Sequence, residues 1–355
     1  MFYDPAKTYD DNFDNGPFAV SDSDQPYANI QPPKYKFLDR PINLPFGIAA
    51  GALLNSNYVK YAFDRGFDVL VYKTQRSVVF PCNPFPNIVY VDVDGDLTLE
   101  KAAQPLVGHT TTTKPITQLS ITNSFAVPSR GPDYWIDDLK TAVSYAGPGQ
   151  ILIASVVGTI QPGFLPDDYY NDFAATAAMA ASAGPAAIEV NLSCPNVATE
   201  GVICYTYDAV VQICQRVHTA VDNIPIIIKI GYFTPDQQNL LQDIIRGTAP
   251  YITGVAAINT ISAAIVDQNG DQALPGPNRL RSGVCGASIK WAGLDMVRRL
   301  KDIRSALNLD FKIIGVGGVM TPADYYQYLA AGADLVQCCT GAMYNPHLAA
   351  EIKQS

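Results

Sequence analysis

Eight short apolar runs recur along the chain, separated by polar or glycine-rich loops and by amphipathic stretches. The runs lack alternating polar positions, which is typical of strands covered on both faces. Their regular alternation with amphipathic stretches predicts repeated βα units on a parallel sheet. The predicted strands are Pro45–Ala49, Val69–Lys73, Ile151–Val157, Ala187–Ser193, Ile226–Ile230, Gly254–Asn259, Phe311–Val316 and Asp334–Cys338.

The amphipathic stretches between the runs predict helices. Thr321 and Pro322 form a typical helix start and Gly332 a typical helix end. Apolar residues from Leu294 to Leu307 recur every three or four positions, which indicates one buried helix face. The predicted helices are Ala323–Ala331, the stretch carrying that apolar stripe, Asp168–Ala183 and Tyr205–Val221.

Eight strands alternating with helices favour a (β/α)8 barrel over residues 45–355, with a doubly wound open sheet as the alternative. Residues 1–44 are rich in Asp, Asn, Pro and Tyr and predict an irregular extension on the surface. The stretch Asn87–Trp135 is too long for a simple loop, and Val89–Val93 and Gln118–Thr122 within it predict extra strands. Loops that follow the strands form the active face of a barrel, so this excursion is expected to cover the site.

Composition narrows the classes of function. Hydrophobic residues make up 48% of the 355 residues and charged residues 16%, which indicates a compact globule. The net charge of −9 disfavours nucleic-acid binding. No apolar run approaches the roughly 18 residues of a membrane helix, and no secretion signal is visible, so a cytoplasmic protein without membrane contact is expected. The seven cysteines lack Cys-x-x-Cys spacing, so neither a disulfide framework nor a metal site is expected.

Polar residues close several of the apolar runs, namely Lys73, Asn191, Lys229 and Asn259. The lysines could simply mark strands that end in solvent. Alternatively, because the ends of parallel strands meet at one rim, the four residues predict a pocket for an anionic, amide-rich ligand.

The segment Asn191–Asn196 directly follows a predicted strand and contains Cys194 before a proline. A thiol on such a loop can act as a base or nucleophile if its proton has a route out. The alternative is an inert buried cysteine, the commonest fate of a free thiol.

Glycine-rich turns end the seventh and eighth runs, at Gly315–Gly318 and Cys338–Ala342, and Ser282–Gly286 is a possible third backbone contact. Such turns let backbone N–H groups approach a phosphate, although each alone could be a tight turn. One ligand would account for a phosphate site, a pocket lined by lysines and amides, and a loop thiol. Flavin mononucleotide (FMN) is such a ligand.

From about Pro45 to Lys353 the sequence resembles the dihydroorotate dehydrogenase family, in the class that uses cysteine as its base. The most specific segment is Asn191–Asn196. Supporting segments, in the same order along the chain, are Tyr72–Thr74, Thr122–Ser124, Ile228–Lys229, Ile258–Thr260 and Gly315–Gly318.

The resemblance implies a role for each matching residue. Cys194 would remove a ring proton while a hydride passes to flavin N5. The residues that would hold or pack beside the substrate are Lys73, Asn123, Phe125, Ala126, Val127, Asn191, Asn196, Asn259 and Thr260. The residues that would line the FMN are Ala49, Ala50, Gly51, Lys73, Thr74, Asn191, Lys229, Gly286, Gly317, Gly318, Cys339 and Thr340.

The family implies oxidation of dihydroorotate to orotate in pyrimidine biosynthesis, often by a homodimer. The sequence leaves the electron acceptor open between fumarate, NAD through a partner subunit, and others. A quinone is disfavoured because quinone-using members carry serine where this chain has Cys194. The alternatives are a flavin barrel acting on another dihydropyrimidine, such as dihydrouracil, and a non-redox phosphate-binding barrel.

Overall fold

The computed structural model describes residues 2–18, 26–27, 32–193 and 203–355. Within them eight parallel strands close into a barrel, each pairing with the next and the last pairing with the first. The predicted (β/α)8 barrel is therefore confirmed, and the open sheet is wrong because its end strands would not pair. The strands are β1 Phe46–Ile48, β2 Val69–Gln75, β3 Ile151–Val156, β4 Ala187–Asn191, β5 Ile226–Ile230, β6 Gly254–Ala257, β7 Lys312–Val316 and β8 Leu335–Cys338.

All eight predicted strands form, and the largest differences lie at their carboxyl ends. The run Ala187–Ser193 leaves the sheet after Asn191, and the run Gly254–Asn259 leaves it after Ala257. The residues beyond these ends still bond to the neighbouring strand, because Asn259 N donates to Ile230 O over 3.0 Å. These residues therefore form the rim of the barrel.

Helices pack around the barrel, and the predicted ones form. Thr321 caps one of them by accepting a hydrogen bond from Asp324 N at 3.3 Å, and Gly332 ends it with a φ of +115°. The stripe from Leu294 to Leu307 includes Val297 and Leu300, which are fully buried. The helices are α1 Ser56–Asp64, α2 Pro132–Ser144, α3 Pro166–Ala181, α4 Tyr207–Val221, α5 Gln238–Thr248, α6 Lys290–Ala306, α7 Pro322–Ala331 and α8 Leu348–Gln354.

Branched apolar side chains fill the lower interior of the barrel. Val71, Ile153, Ile227, Ile314 and Leu335 come from five different strands and belong to one buried cluster. This packing fills the barrel below its rim, so the ligand site is expected at the carboxyl ends of the strands.

A second, five-stranded sheet covers that rim. It joins an excursion after β2 to another after β6, through antiparallel pairs such as Thr122 with Val284. The two strands predicted in the first excursion are confirmed with shifted bounds. The second excursion was not predicted, and Ser282–Gly286, given above as a possible third backbone contact, lies on one of its strands. The cover strands are Ile88–Val91, Leu106–His109, Ser120–Asn123, Ile261–Val266 and Arg281–Gly286.

The N-terminal segment is more regular than its sequence predicts. A helix spans Tyr9–Asn15, and a hairpin pairs Tyr35–Phe37 with Arg40–Ile42. The side chain of Asn12 is fully buried and supplies the hydrogen bonds that order the first turn, a role that periodicity cannot reveal.

Short elements complete the connections between these layers. In the described ranges no helix is both long and apolar enough to cross a lipid bilayer. The short elements are the strand pair Val79–Phe80 and Ser129–Arg130, the helices Leu99–Ala102 and Thr340–Tyr344, and the 3-10 turns Ile116–Gln118, Ile203–Tyr205, Pro235–Gln237 and Ala287–Ile289.

Candidate active site

A cavity lies between the carboxyl ends of the barrel strands and the cover sheet. It contains about 1190 Å³ of empty volume, part of which is open to solvent. Barrel residues such as Lys73, Asn191 and Lys229 line one side, and cover residues such as Asn123 and Cys285 line the other.

The structure brings most of the residues singled out in the sequence into this one cavity. Asn196 and Cys194 lie outside the residues that the structure describes. Tyr3, which the sequence did not single out, also lines the cavity, and so does Cys285, which lies within the possible backbone contact Ser282–Gly286. The predicted residues that line it are Ala49, Ala50, Gly51, Lys73, Thr74, Asn123, Phe125, Val127, Asn191, Lys229, Asn259, Thr260, Gly286, Gly317, Gly318, Cys339 and Thr340.

Ala126, predicted to lie beside the substrate, does not line the cavity. Its φ of +67° and that of Val127 (+53°) turn the backbone so that both carbonyls face the buried guanidinium of Arg76. Arg76 Nη2 donates to Ala126 O at 3.2 Å, and Nε donates to Val127 O at 2.9 Å. As a result, Phe125 and Val127 line the cavity, whereas the methyl group of Ala126 does not.

An amide and hydroxyl cluster occupies the rim beyond β4 and β6. Asn259 Nδ2 donates to Asn191 Oδ1 at 3.4 Å, and the same oxygen accepts from Ser193 N at 3.3 Å. The hydroxyls of Ser193 and Thr260 are buried and lack hydrogen-bond partners among the described residues. Buried polar groups normally find partners, and Thr260 lines the cavity, so its hydroxyl is suited to a ligand that supplies one.

The hydroxyl of Thr260 fits because residue 283 of the cover strand is glycine. A Cβ atom on Gly283 would lie 2.2 Å from Thr260 Oγ1. The cover sheet therefore shapes the amide and hydroxyl cluster without contributing a side chain at that position.

Two lysines approach the cavity from inside the barrel. Lys73 and Lys229 are only 6% and 5% exposed, so the alternative that they mark strands ending in solvent is wrong. Lys229 forms no ion pair within 4.0 Å in the described structure, yet burying an ammonium group is costly without a partner. A ligand with an anionic or carbonyl edge would compensate this cost.

Buried polar residues continue from Lys229 across neighbouring strands. Glu189 on β4 is 1% exposed, Ser155 lies opposite it on β3, and Ser155 Oγ is 2.9 Å from Thr74 Oγ1. Burial raises the pKa of Glu189, and the charge of Lys229 opposes that shift. Burial lowers the pKa of Lys229, and the charge of Glu189 opposes it in turn. The charge on Lys229 therefore depends on Glu189.

Cys285 connects the cover sheet to the barrel. Asn123 Nδ2 donates to its sulfur at 3.6 Å, and Thr340 Oγ1 donates to it at 3.5 Å. Burial raises the pKa of Cys285, and it raises the pKa of the nearby Cys339 to about 12. Both thiols are therefore protonated at neutral pH and are unsuited to act as bases. Among the described residues no three His, Cys, Asp or Glu side chains could together hold a metal ion.

The glycine-rich turn after β7 packs tightly against the start of α6. Gly317 and Gly318 have φ values of +127° and +67°, and a Cβ atom on Gly318 would lie 2.7 Å from Lys290 N. Only glycine fits this conformation and this approach. The turn exposes backbone rather than side chains to the cavity, as a phosphate site requires.

Comparisons with known proteins agree with this architecture. The sequence model of the family described as dihydroorotate dehydrogenase matches residues 34–355. The chain is 38% identical over 359 aligned positions to a dihydroorotate dehydrogenase of Dictyostelium discoideum, covering 98% of this chain and 95% of that one. It is 32% identical over 200 residues to a putative dihydroorotate dehydrogenase A (fumarate) of Pediococcus pentosaceus, covering 56% and 61%. It is 30% identical over 168 residues to a dihydroorotate dehydrogenase B (NAD(+)), catalytic subunit, of Petrotoga mobilis, covering 46% and 52%.

Proposed function

Because the chain belongs to the dihydroorotate dehydrogenase family, we propose that it oxidises dihydroorotate to orotate in pyrimidine biosynthesis, using bound FMN. The supporting observation is that buried lysines, an amide cluster and a glycine-rich turn line one cavity at the active face of the barrel. Family membership makes the protein an oxidoreductase that acts on a CH–CH bond.

The residues of the cavity fit FMN in three respects. Ala49, Ile258 and Val316 give apolar surface for the faces of a planar ring. Lys229 has no ion-pair partner in the described structure. Its ammonium group could therefore bind an electron-rich edge of the ring. The turn at Gly317–Gly318 offers backbone to a phosphate. When bound, FMN supplies the hydride acceptor of the reaction.

The substrate side of the cavity would be formed by Lys73, Asn123, Asn191, Asn259 and Thr260. Dihydroorotate carries a carboxylate and two ring amides, which need a cation together with paired donors and acceptors. Lysine supplies the cation, and asparagine supplies both a donor and an acceptor. We infer that Phe125 and Val127 pack beside the ring.

Cys194 is the proposed base. The sequence places it three residues after Asn191, which lines the cavity, although Cys194 itself lies outside the described residues. Its thiolate would take a proton from one ring carbon while a hydride leaves the neighbouring carbon. Cys285 and Cys339, which are half-buried, are unsuited to this role because desolvation raises their pKa.

Anaerobic reduction tests the proposal. The purified protein is expected to show flavin absorbance, and dihydroorotate is expected to bleach it in the absence of oxygen. Dihydrouracil at the same concentration is the control. Bleaching by dihydrouracil but not by dihydroorotate would indicate another pyrimidine substrate. Absence of flavin even after FMN is added would favour a non-redox phosphate-binding barrel.

The electron acceptor is identified in the same apparatus. Fumarate, NAD⁺ and a soluble quinone are mixed in turn with the reduced protein, and the return of flavin absorbance is timed.

On the family resemblance we propose that the protein acts as a cytoplasmic homodimer. Sedimentation analysis at several protein concentrations tests the dimer.

A further inference from the structure

Tyr3 lines the cavity although it lies outside both the barrel and the residues that the family model matches. It is 3% exposed, and its ring meets Phe125 edge-on, with centroids 6.1 Å apart and an interplanar angle of 89°. Its hydroxyl forms no hydrogen bond with the described residues. Because Tyr3 lines the cavity, a hydroxyl that is not bonded within the described protein can bind a ligand there.

The backbone on both sides of Tyr3 is held firmly. Phe2 O accepts from Phe18 N at 3.1 Å. Asp4 N donates to Asn12 Oδ1 at 2.8 Å, and Asn12 Nδ2 donates back to Asp4 O at 2.9 Å. The ring position is therefore set before a ligand binds, which reduces the entropy that binding must overcome.

The same N-terminal segment is anchored to the barrel. Tyr58 of α1 donates from its hydroxyl to Asn12 O at 2.7 Å, and Asn55 Nδ2 donates to Phe13 O at 2.8 Å. Both donors are buried, so these bonds are shielded from competing water. The segment is therefore fixed to the barrel rather than lying loosely on it.

The N-terminal segment that carries Tyr3 lies on the proposed substrate side of the cavity. Tyr9 of the same segment packs against Phe125 with centroids 6.0 Å apart, and Lys73 Nζ lies 6.0 Å from the Tyr9 ring. Phe125 and Lys73 both line the cavity and both are proposed substrate residues. The N-terminal segment therefore lies against this part of the cavity.

We propose that Tyr3 is a specificity-determining residue, whose ring closes the substrate side over Phe125 and whose hydroxyl donates a hydrogen bond to an oxygen of the bound dihydropyrimidine. This inference rests on the proposed function. Burial raises the pKa of Tyr3 well above its usual value, so the hydroxyl carries its proton at neutral pH and can donate it.

Tyr3→Phe tests the hydroxyl because it removes one oxygen and keeps the ring. Stopped-flow reduction with dihydroorotate should give a Kd raised about threefold to tenfold, the loss expected for one hydrogen bond, with flavin content and Tm unchanged. Tyr35→Phe is the matched control, since Tyr35 is 47% exposed on the N-terminal hairpin and is expected to keep the wild-type Kd. An unchanged Kd in Tyr3→Phe overturns the hydrogen bond.

Tyr3→Ala tests the ring. Opening the wall should weaken selection against a dihydroorotate analogue that bears an extra methyl group, so the ratio of kcat/KM for the two substrates should move toward one. An unchanged ratio in folded, flavin-containing protein overturns the specificity role. If Tyr3→Ala does not fold, Tyr3→Phe decides. Failure of wild-type protein to react with dihydroorotate would refute the proposed function instead, so the two failures are distinguishable.

Discussion

Asn259 donates a hydrogen bond from Nδ2 to Oδ1 of Asn191 across 3.4 Å, which joins the chain beyond β6 to the end of β4. The strand between them, β5, carries Lys229, whose register partner on β4 is Asn191. Three proposed ligand-binding side chains therefore come from three adjacent strands. Their geometry depends on the closed barrel and not on a flexible loop.

Asn191→Ala should damage activity more than Asn259→Ala. Asn191 Oδ1 accepts from both Asn259 and Ser193, so its loss also frees the backbone that leads to Cys194. We expect kcat/KM for dihydroorotate to fall about 100-fold in Asn191→Ala and about tenfold in Asn259→Ala, from the cost of unpaired buried polar groups. Anaerobic stopped-flow reduction measures both.

The matched control for these variants is Asn239→Ala, because Asn239 is exposed on α5. It should behave as wild type. Equal losses in Asn191→Ala and Asn259→Ala would contradict the central position of Asn191.

The barrel could be predicted from the sequence because each strand carries its own local signal. The run Ile226–Ile230 is buried throughout and apolar except for Lys229, and its bounds match the prediction. The site residues at the strand ends could also be predicted, because the carboxyl ends of parallel strands share one rim. Lys229 and Asn191 were found in this way.

Two strands of the cover sheet were predicted, but the sheet as a whole could not be, because its pairing depends on segments far apart in sequence. Thr122 Oγ1 donates to Gly283 O at 3.0 Å across 161 positions, and neither segment has strict period-two alternation. Cys285 enters the cavity through this pairing. Tyr3 enters it because the buried side chain of Asn12 orders the segment before the barrel, and a single asparagine leaves no periodic signal.

Glu189→Gln should shift the alkaline limb of the pH profile for flavin reduction to lower pH. Burial lowers the pKa of Lys229, and the negative charge of Glu189 raises it. Without that charge Lys229 loses its proton at lower pH, and only the protonated form can stabilise an anionic ring edge. Reduction rates measured between pH 6 and 10 test the shift.

Ser155→Ala serves as the comparison for Glu189→Gln. It removes the Ser155 hydroxyl, which lowers the pKa of Glu189, but keeps the carboxyl group. We expect the alkaline limb of the pH profile for flavin reduction to shift less in Ser155→Ala than in Glu189→Gln. Superimposable profiles for wild type and Glu189→Gln would show that Glu189 does not control the proton on Lys229.

Cys194→Ser should slow dihydroorotate-driven flavin reduction by about 100-fold or more while the protein stays yellow, because a hydroxyl is a much weaker proton acceptor than a thiolate. Single-turnover reduction and the visible spectrum measure the two effects separately. Cys204→Ser is the control, since Cys204 is buried and burial raises its pKa to about 12. Reduction at the wild-type rate in Cys194→Ser would exclude Cys194 as the base.

Asp68 and Lys353 form an ion pair, so substitutions at the two positions should have strongly non-additive effects on the free energy of unfolding. Lys353 Nζ lies 2.7 Å from Asp68 Oδ2, and Asp68 is wholly buried. Asp68→Asn should lower the free energy of unfolding by about 3 kcal/mol, because it removes the carboxylate charge that lies 2.7 Å from the Lys353 ammonium group. The double variant Asp68→Asn with Lys353→Met should recover much of that loss, since no charge then remains unpaired. Urea denaturation of both single variants and the double variant measures the coupling, and additive losses would contradict it.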